Sequence, residues 1–276
     1  MVAKIETHDI LEGEKMKIAA AGDNCIDWYD EAETGYPGGN AVNVAVYFKR
    51  LGGEASYTGA VGPDDHGTIL RSALLYKGVD ITHLYTLPGQ TAVTHVAVKE
   101  GDRIFGAYEE GVVGDFDLQA TDIDFLCDHD LVVTGCWGHL EHHLAGLKQR
   151  GLQTAYDAST DPNSPAAYLA AASTDYFFYS AQGPDGPELR KQMANIKARG
   201  PRLVIATLGE SGSLVFDGTE YHQYGIVPCE AVDSLGAGDS YIAGFLKGIL
   251  LDLPIIDCMA LGAESASITL EYKGAW

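Results

Sequence analysis

Asp233-Ser234-Leu235-Gly236-Ala237-Gly238-Asp239-Ser240 stands immediately before a helix-length stretch whose apolar positions include Ile242, Phe245, Leu246 and Ile249. Small residues let backbone N–H groups converge, and the first turn of a helix leaves its own N–H groups without intrahelical acceptors. Together with the positive end of the helix dipole they form an anion cradle, suited to charge developing on a transferred phosphoryl group. Asp239 beside that cradle is placed to take a proton from an attacking hydroxyl. A capping carboxylate in a glycine-rich loop is the plainer alternative for a G-A-G-D taken alone. No G-x-x-x-x-G-K-[ST] occurs, and Gly236 and Gly238 lack the third glycine of a dinucleotide loop, so a phosphate site here is of another type.

Upstream, Pro37-Gly38-Gly39-Asn40-Ala41-Val42-Asn43-Val44-Ala45 opens a helix pattern, Asn40 to Leu51, that Gly52-Gly53 closes. Its amides both donate and accept, which suits sugar hydroxyls; a tight turn with an Asn cap is the structural alternative. Around these segments strand-length apolar runs alternate with helix-length ones. Strands are expected at Lys17 to Ala21, Ala55 to Ala60, Leu131 to Thr134, Gln153 to Asp157, Tyr176 to Tyr179 and Leu203 to Thr207. That rhythm is α/β with a mainly parallel sheet. Two stretches break it: Thr91 to Lys99 and Arg103 to Tyr108 alternate around Glu100-Gly101-Asp102, a hairpin signature. With a further strand from Cys25 to Tyr36 they make a small β-flap, its strands within 25–36 and 91–112. A late hairpin, Ser213 to Phe216 and Glu220 to Tyr224 about Asp217-Gly218, precedes two helices, Ala237 to Leu250 and Pro254 to Tyr272, the second with its proline in the first turn.

The 276 residues are 46% hydrophobic and 21% charged, ordinary globular usage, and 18 basic against 39 acidic side chains leave a net charge of −21. Such a field repels phosphate backbones, so nucleic-acid partners are not expected, and any anionic ligand needs locally arranged donors. Five cysteines without a C-x-x-C pair suggest neither disulfides nor a zinc knuckle. The longest apolar region, Ala243 to Ala263, is broken by Lys247, Asp252 and Asp257, and Met1 to Lys15 carry no signal-like stretch. A cytoplasmic protein without a membrane partner is the expectation. Residues 1–16 read as a polar extension before one domain, 17–276.

The two glycine-rich segments, in this order and at this separation, resemble the signatures of the PfkB, or ribokinase-like, carbohydrate kinases: Gly-Gly-x-x-x-Asn near the start and D-T-x-G-A-G-D near the end. The resemblance runs from about Lys17 onward and includes Gly22 to Asp27 and Thr207-Leu208-Gly209-Glu210-Ser211-Gly212. It implies a three-layer fold, a mainly parallel central sheet between helices with a small β-sheet lid, and ATP-dependent phosphorylation of a sugar with Mg2+. Asp239 then becomes the base, and the amides of Gly236, Ala237 and Gly238 the transition-state cradle. Thr207, Gly209 and Gly212 fall along the nucleotide. Asp233 falls near its phosphates and a monovalent cation such as K+. Asp27, Gly39 and Asn43 match sugar-hydroxyl positions. Two departures stand out: Ser234 replaces the signature threonine, and the family's N-x-x-E element, which helps organise magnesium, should fall near Ser180-Ala181-Gln182-Gly183, where neither Asn nor Glu occurs. Asp185 and Glu188 are the nearest candidates to compensate.

Within the family the similarity is greatest to members that phosphorylate the 6-hydroxyl of fructosamines such as fructoselysine. It rests on Gly22-Asp23-Asn24-Cys25-Ile26-Asp27, Tyr36 to Tyr47, Arg103 to Tyr108 with Glu110-Gly111, Cys136-Trp137-Gly138-His139 and Gly274-Ala275-Trp276. A fructosamine amine is cationic, and Asp23, Asp27, Glu109 and Glu110 cluster at the expected sugar end, although Glu109-Glu110 also reads as a solvated lid edge. Arg103 suits a substrate carboxylate or a pairing with Asp102. Asp157 ends a strand, where it either reaches the crevice or caps a turn. His139, His142 and His143 lack a third metal-ligand pattern and read as a polar helix start. Fructokinase, ribokinase or nucleoside kinase activity is the alternative within the family, and a non-catalytic sugar- or nucleotide-binding protein the alternative outside enzymes. An exposed lid sheet also suits a homodimer.

Overall fold

The first strand shows why the sheet is apolar throughout. In the computed structural model, which describes residues 16–99, 102–181 and 183–276, β1 (Lys17–Ala21) turns Ile18 and Ala20 to one face and Ala19 and Ala21 to the other, and all four are buried. A strand covered on both faces needs an unbroken apolar run. In chain order there follow β2 (Cys25–Tyr29), β3 (Thr34–Gly38), α1 (Asn40–Arg50), β4 (Glu54–Val61), α2 (Asp65–Tyr76), β5 (Leu84–Thr86), β6 (Val93–Lys99) and β7 (Asp102–Glu109). Next come α3 (Ala120–Leu126), β8 (Leu131–Gly135), α4 (Leu144–Gln149), β9 (Gln153–Asp157), α5 (Pro165–Ala171), β10 (Tyr176–Ser180), α6 (Pro187–Lys197) and β11 (Leu203–Thr207). The last elements are β12 (Ser213–Phe216), β13 (Tyr221–Tyr224), α7 (Ala237–Leu250) and α8 (Ile255–Leu270).

Among the described residues the large sheet has the order β13-β12-β11-β10-β9-β8-β1-β4-β5, parallel from β11 to β5, with β12 and β13 antiparallel at one edge. Tyr176 and Phe178 of β10 pack with α1, α7 and α8; Phe177 and Tyr179 pack with α5 and α6. This alternation makes three layers: helices, sheet, helices. A separate small sheet, β3-β2-β6-β7, stands apart from it. The expected parallel sheet and hairpins are therefore present. The edge strand β5 is too short, at three residues, for alternation to reveal it. The late hairpin starts its second strand at Tyr221, because the Asp217 carboxylate holds the Glu220 N–H at 2.8 Å in the turn. Pro254 is the N-cap of α8 instead of lying in its first turn. Residues 1–15 of the expected extension, and Glu100-Gly101 of the expected lid turn, lie outside the described residues, as do the side chains of 98, 99 and 102–105. Met16 packs against the core.

Helices α7 and α8 approach closely through glycines. A Cβ at Gly248 would stand 2.7 Å from Cys258 Cα, one at Gly262 2.8 Å from Tyr241, and one at Gly244 would collide with the Leu261 carbonyl. Gly244→Ala gains helix propensity of about 1 kcal/mol but forces the helices apart. The expected outcome is a net loss of about 1–3 kcal/mol in stability, read as a lower midpoint of chemical unfolding.

Candidate active site

The site is assembled from two helix N-termini. Gly39, N-cap of α1, has φ +111°, and a Cβ there would lie 2.6 Å from Asn24 Cα, so only glycine fits and no capping side chain is available. Asp23, in the turn after β1, supplies the cap from outside, accepting from the backbone N–H of Asn40 at 2.7 Å and of Ala41 at 3.4 Å. Asn40 and Asn43, three residues apart, then project from one side of the helix. Asn40 Nδ2 donates to Asp239 Oδ1 and to Asp157 Oδ2, each at 2.7 Å, and Asn43 Nδ2 donates to Asp239 Oδ2 at 2.7 Å. Gly135, at the end of β8, leaves the space that Asn40 Oδ1 occupies.

The second N-terminus is that of α7. Its N-cap Gly236 adopts the left-handed conformation, φ +75°, and a Cβ would collide with the Tyr47 hydroxyl. Asp233 fastens this loop, accepting from Leu235 N at 3.0 Å and Gly274 N at 2.7 Å. The Ala237 N–H points at the Ser234 carbonyl across 3.3 Å, whereas Gly238 borders open space where a Cβ would stand. In front of the loop lies a cleft of about 440 Å³, walled by Asp157, Ser159, Tyr179, Ser180, Thr207 and Asp239 among others. It lies beyond the carboxyl ends of β9, β10 and β11, where open parallel sheets bind ligands.

Three carboxylates meet here, and among the described residues no lysine or arginine forms a hydrogen bond or ion pair with any of them. Desolvation pushes Asp157 up to about 6, with Asp23 adding to it while the Ser159 N–H and Asn40 oppose it. Asp239 is pushed well above the usual carboxylate range by desolvation and by Asp157 and Asp23, against the Asn43 and Asn40 donors. Asp23 is raised by burial, opposed by its backbone donors. Carboxylate and hydroxyl oxygens around a cleft with excess negative charge match the needs of a hard, partly hydrated divalent cation, with Asp157, Ser159 and Ser180 the nearest donors.

At the expected sugar end, Asp27 of β2 is buried, and Gly38 makes room for its carboxylate. Glu110 is hydrogen-bonded to His139 Nε2. Tyr108 and Trp137 meet edge to face with centroids 5.8 Å apart. Glu109 does not join this group, since it lies 3.4 Å from His95 and borders a different groove, with Trp28 and His66. Arg103 is on β7, its side chain outside the described residues. Thr207 lines the cleft, while Gly209 and Gly212, at φ +56° and +86°, form the turn behind it.

Neither candidate for the missing magnesium element reaches the cleft. Asp185 is held by Arg190 at 2.8 and 2.6 Å, and Glu188 borders a separate depression with Lys191 and Asn195. Of the acidic side chains after the central strands, it is Asp157 at the end of β9 that lines the cleft. His142 and His143 both turn to Asp117, at 3.2 and 2.5 Å, a partner too distant in sequence to be seen as part of their pattern. The bridging role of Asn40 was open to discovery from its three-residue spacing to Asn43. The contact of Trp276 with Asn43 carries no local signal.

Because the pKa of Asp157 is higher folded than unfolded, its charge weakens the fold, and increasingly so as pH rises from about 4 through about 6. Asp157→Asn is therefore expected to raise stability at pH 8 by about 1–3 kcal/mol while lowering turnover. The comparison of thermal midpoints at pH 8 and pH 5 checks it, since the gain should shrink at the lower pH.

Comparisons with known proteins converge on one family. The pattern of the pfkB family carbohydrate kinases matches residues 18–276. Fructoselysine 6-kinase of Shigella flexneri is 42% identical over 94% of this chain and 99% of its own. Fructosamine kinase FrlD of Bacillus subtilis is 34% identical over 95% and 93%. The fold is that of Arabidopsis thaliana ribokinase complexed with ribose and ATP, at 20% identity, a TM-score of 0.83 and 94% coverage of both chains. The chain belongs to the pfkB family of carbohydrate kinases and is an ATP-dependent sugar kinase.

Proposed function

We propose that this kinase transfers the γ-phosphoryl group of ATP to the 6-hydroxyl of an amino-acid-linked fructosamine, of which fructoselysine is the type. The observation that carries the chemistry is the Asp239 carboxylate, held by one amide on each oxygen beside the α7 N-terminus. Asp239 takes the proton of the 6-hydroxyl as that oxygen attacks phosphorus. The bond to the β-phosphate oxygen breaks, and ADP leaves with the electron pair. The backbone N–H groups of Gly236, Ala237 and Gly238 receive the charge on the equatorial oxygens. Thr207 borders the nucleotide, with the Gly209 and Gly212 turn behind it. Asp233 keeps the cradle loop closed beside the phosphates, where a monovalent cation such as K+ would add to the field. Mg2+ would neutralise phosphate charge, held by Asp157 in place of the absent N-x-x-E.

For the acceptor, Gly39 and Asp27 face sugar hydroxyls, and Asn43 keeps its second amide hydrogen for another. Asp23 and Glu110 set a potential that favours a cationic amine near the sugar, and Arg103 of β7 suits a substrate carboxylate. The relatives of 42% and 34% identity named for fructoselysine and fructosamine support this choice. The small sheet would cover the sugar and exclude water, and it would also pair two copies of the chain in a cytoplasmic homodimer.

ADP release with Mg2+-ATP is the test, across fructoselysine, other fructosamines, fructose, ribose and nucleosides. One fructosamine should be preferred, with turnover falling about a thousandfold in Asp239→Asn. Turnover confined to a free sugar or nucleoside would overturn the substrate. Saturable binding without turnover on any acceptor would overturn the reaction.

A further inference from the structure

The segment 272–276 is far in sequence from α1, yet it is fastened both to α1 and to the catalytic loop. Gly274 N donates to Asp233 Oδ2 at 2.7 Å, and the Ala275 carbonyl accepts from the hydroxyls of Tyr47 and, at 3.1 Å, Tyr272. The Trp276 indole, half-buried against the core, donates Nε1–H to Asn43 Oδ1 at 2.7 Å. Asn43 in turn donates Nδ2 to Asp239 Oδ2 at 2.7 Å and is itself 4% exposed. An amide can turn over, exchanging its oxygen and nitrogen. An indole N–H can only donate and a carboxylate can only accept. A reversed Asn43 would oppose donor to donor at Trp276 and acceptor to acceptor at Asp239, so the two neighbours select one orientation.

We propose that Trp276 is a positioning residue for phosphoryl transfer, its indole N–H locking the Asn43 amide with the nitrogen toward Asp239. This rests on the reading of Asp239 as base. The groups around Asp239 are Asn40, Asn43 and Tyr47 of α1, Asp157 at the end of β9 and Asp23 after β1. Arg50 lies above the Tyr47 ring, 4.7 Å from its centroid, and donates to Ser240 Oγ at 2.9 Å. With burial and both carboxylate neighbours opposing ionisation, the two amide donors are the groups that favour the charged form of Asp239. If the Asn43 donor is free to turn away, the carboxylate protonates at higher pH, and the acid limb of the rate profile moves upward.

The experiment is the pH profile of kcat/KM for wild type, Trp276→Phe, Trp276→His, Asn43→Ala and Asp239→Asn. Mg2+-ATP is used with fructoselysine or whichever panel acceptor turns over fastest. Trp276→Phe keeps an aromatic ring and loses the donor. Its acid limb should rise by about half to one pH unit, a loss of about three- to tenfold on the acid side of the limb, with the alkaline plateau and the KM for ATP nearly unchanged. Asn43→Ala should move the limb in the same direction, and Trp276→His, which returns a ring N–H, should move it back. If Asn43→Ala shifts the limb while Trp276→Phe overlays the wild type, the positioning role is wrong and the base remains. A loss in Trp276→Phe that is equal at every pH reduces Trp276 to packing and also overturns the proposal. Full turnover in Asp239→Asn removes the base, and the proposal with it. Should Trp276→Phe not fold, Trp276→Leu, which also loses the donor, decides by the same limb.

Discussion

One side-chain nitrogen ties the architecture together: Asn40 Nδ2 lies 2.7 Å from an oxygen of Asp157 and 2.7 Å from an oxygen of Asp239. The first residue of α1 thus connects the end of a central strand to the first turn of α7. Several constraints converge on it. Asp23 caps the helix because Gly39 cannot, Gly39 is glycine because Asn24 crowds it, and Gly135 is glycine because the Asn40 carbonyl fills the space beside it. Each of these positions looks like ordinary turn chemistry in isolation. Together they aim one amide at two carboxylates.

The cost of the arrangement is electrostatic. Burial raises the pKa of all three carboxylates, Asp23 adds to the shift of Asp157 and both add to that of Asp239, and Asp157 reaches about 6. Hydrogen bonds from Asn40, Asn43 and backbone N–H groups partly offset this, His139 opposes the shift at Asp23, and among the described residues no lysine or arginine pairs with any of the three. A site left so negative is stabilised by what it binds: a magnesium-bearing nucleotide and, under the proposed function, a cationic acceptor. In a chain of net charge −21 the same field extends outward and favours cations over free anions. Under the same proposal the triphosphate is received by amides at the N-terminus of α7, which carry no net charge of their own.

Much of this was legible in the sequence because it depends on local chemistry. The strands announce themselves as apolar runs, since a sheet covered on both faces cannot alternate polar and apolar residues. The Gly236 to Asp239 loop announces a helix N-terminus with room for an anion. What stayed hidden is relational. Asp157 read either as a capping residue or as a cleft carboxylate, and it is both, accepting from Ser159 N at 2.9 Å with one oxygen and from Asn40 with the other at the cleft wall. Asp185 and Glu188 stood near the expected metal element, yet the bidentate bond to Arg190 and the orientation of α6 take them elsewhere. Glu109 and Glu110 are neighbours in the chain, yet Glu109 ends β7 beside His95 whereas Glu110 already belongs to the helical turn after the strand and meets His139.

The most direct measurement of the Asn40 bridge is single-turnover phosphoryl transfer by rapid quench in Asn40→Ala, with nucleotide and acceptor affinities measured separately. If the amide aims the base, the transfer step should slow by about a hundredfold or more while both affinities stay within a few-fold of wild type. An unchanged transfer rate, or a loss confined to binding, would contradict the central role given to that nitrogen.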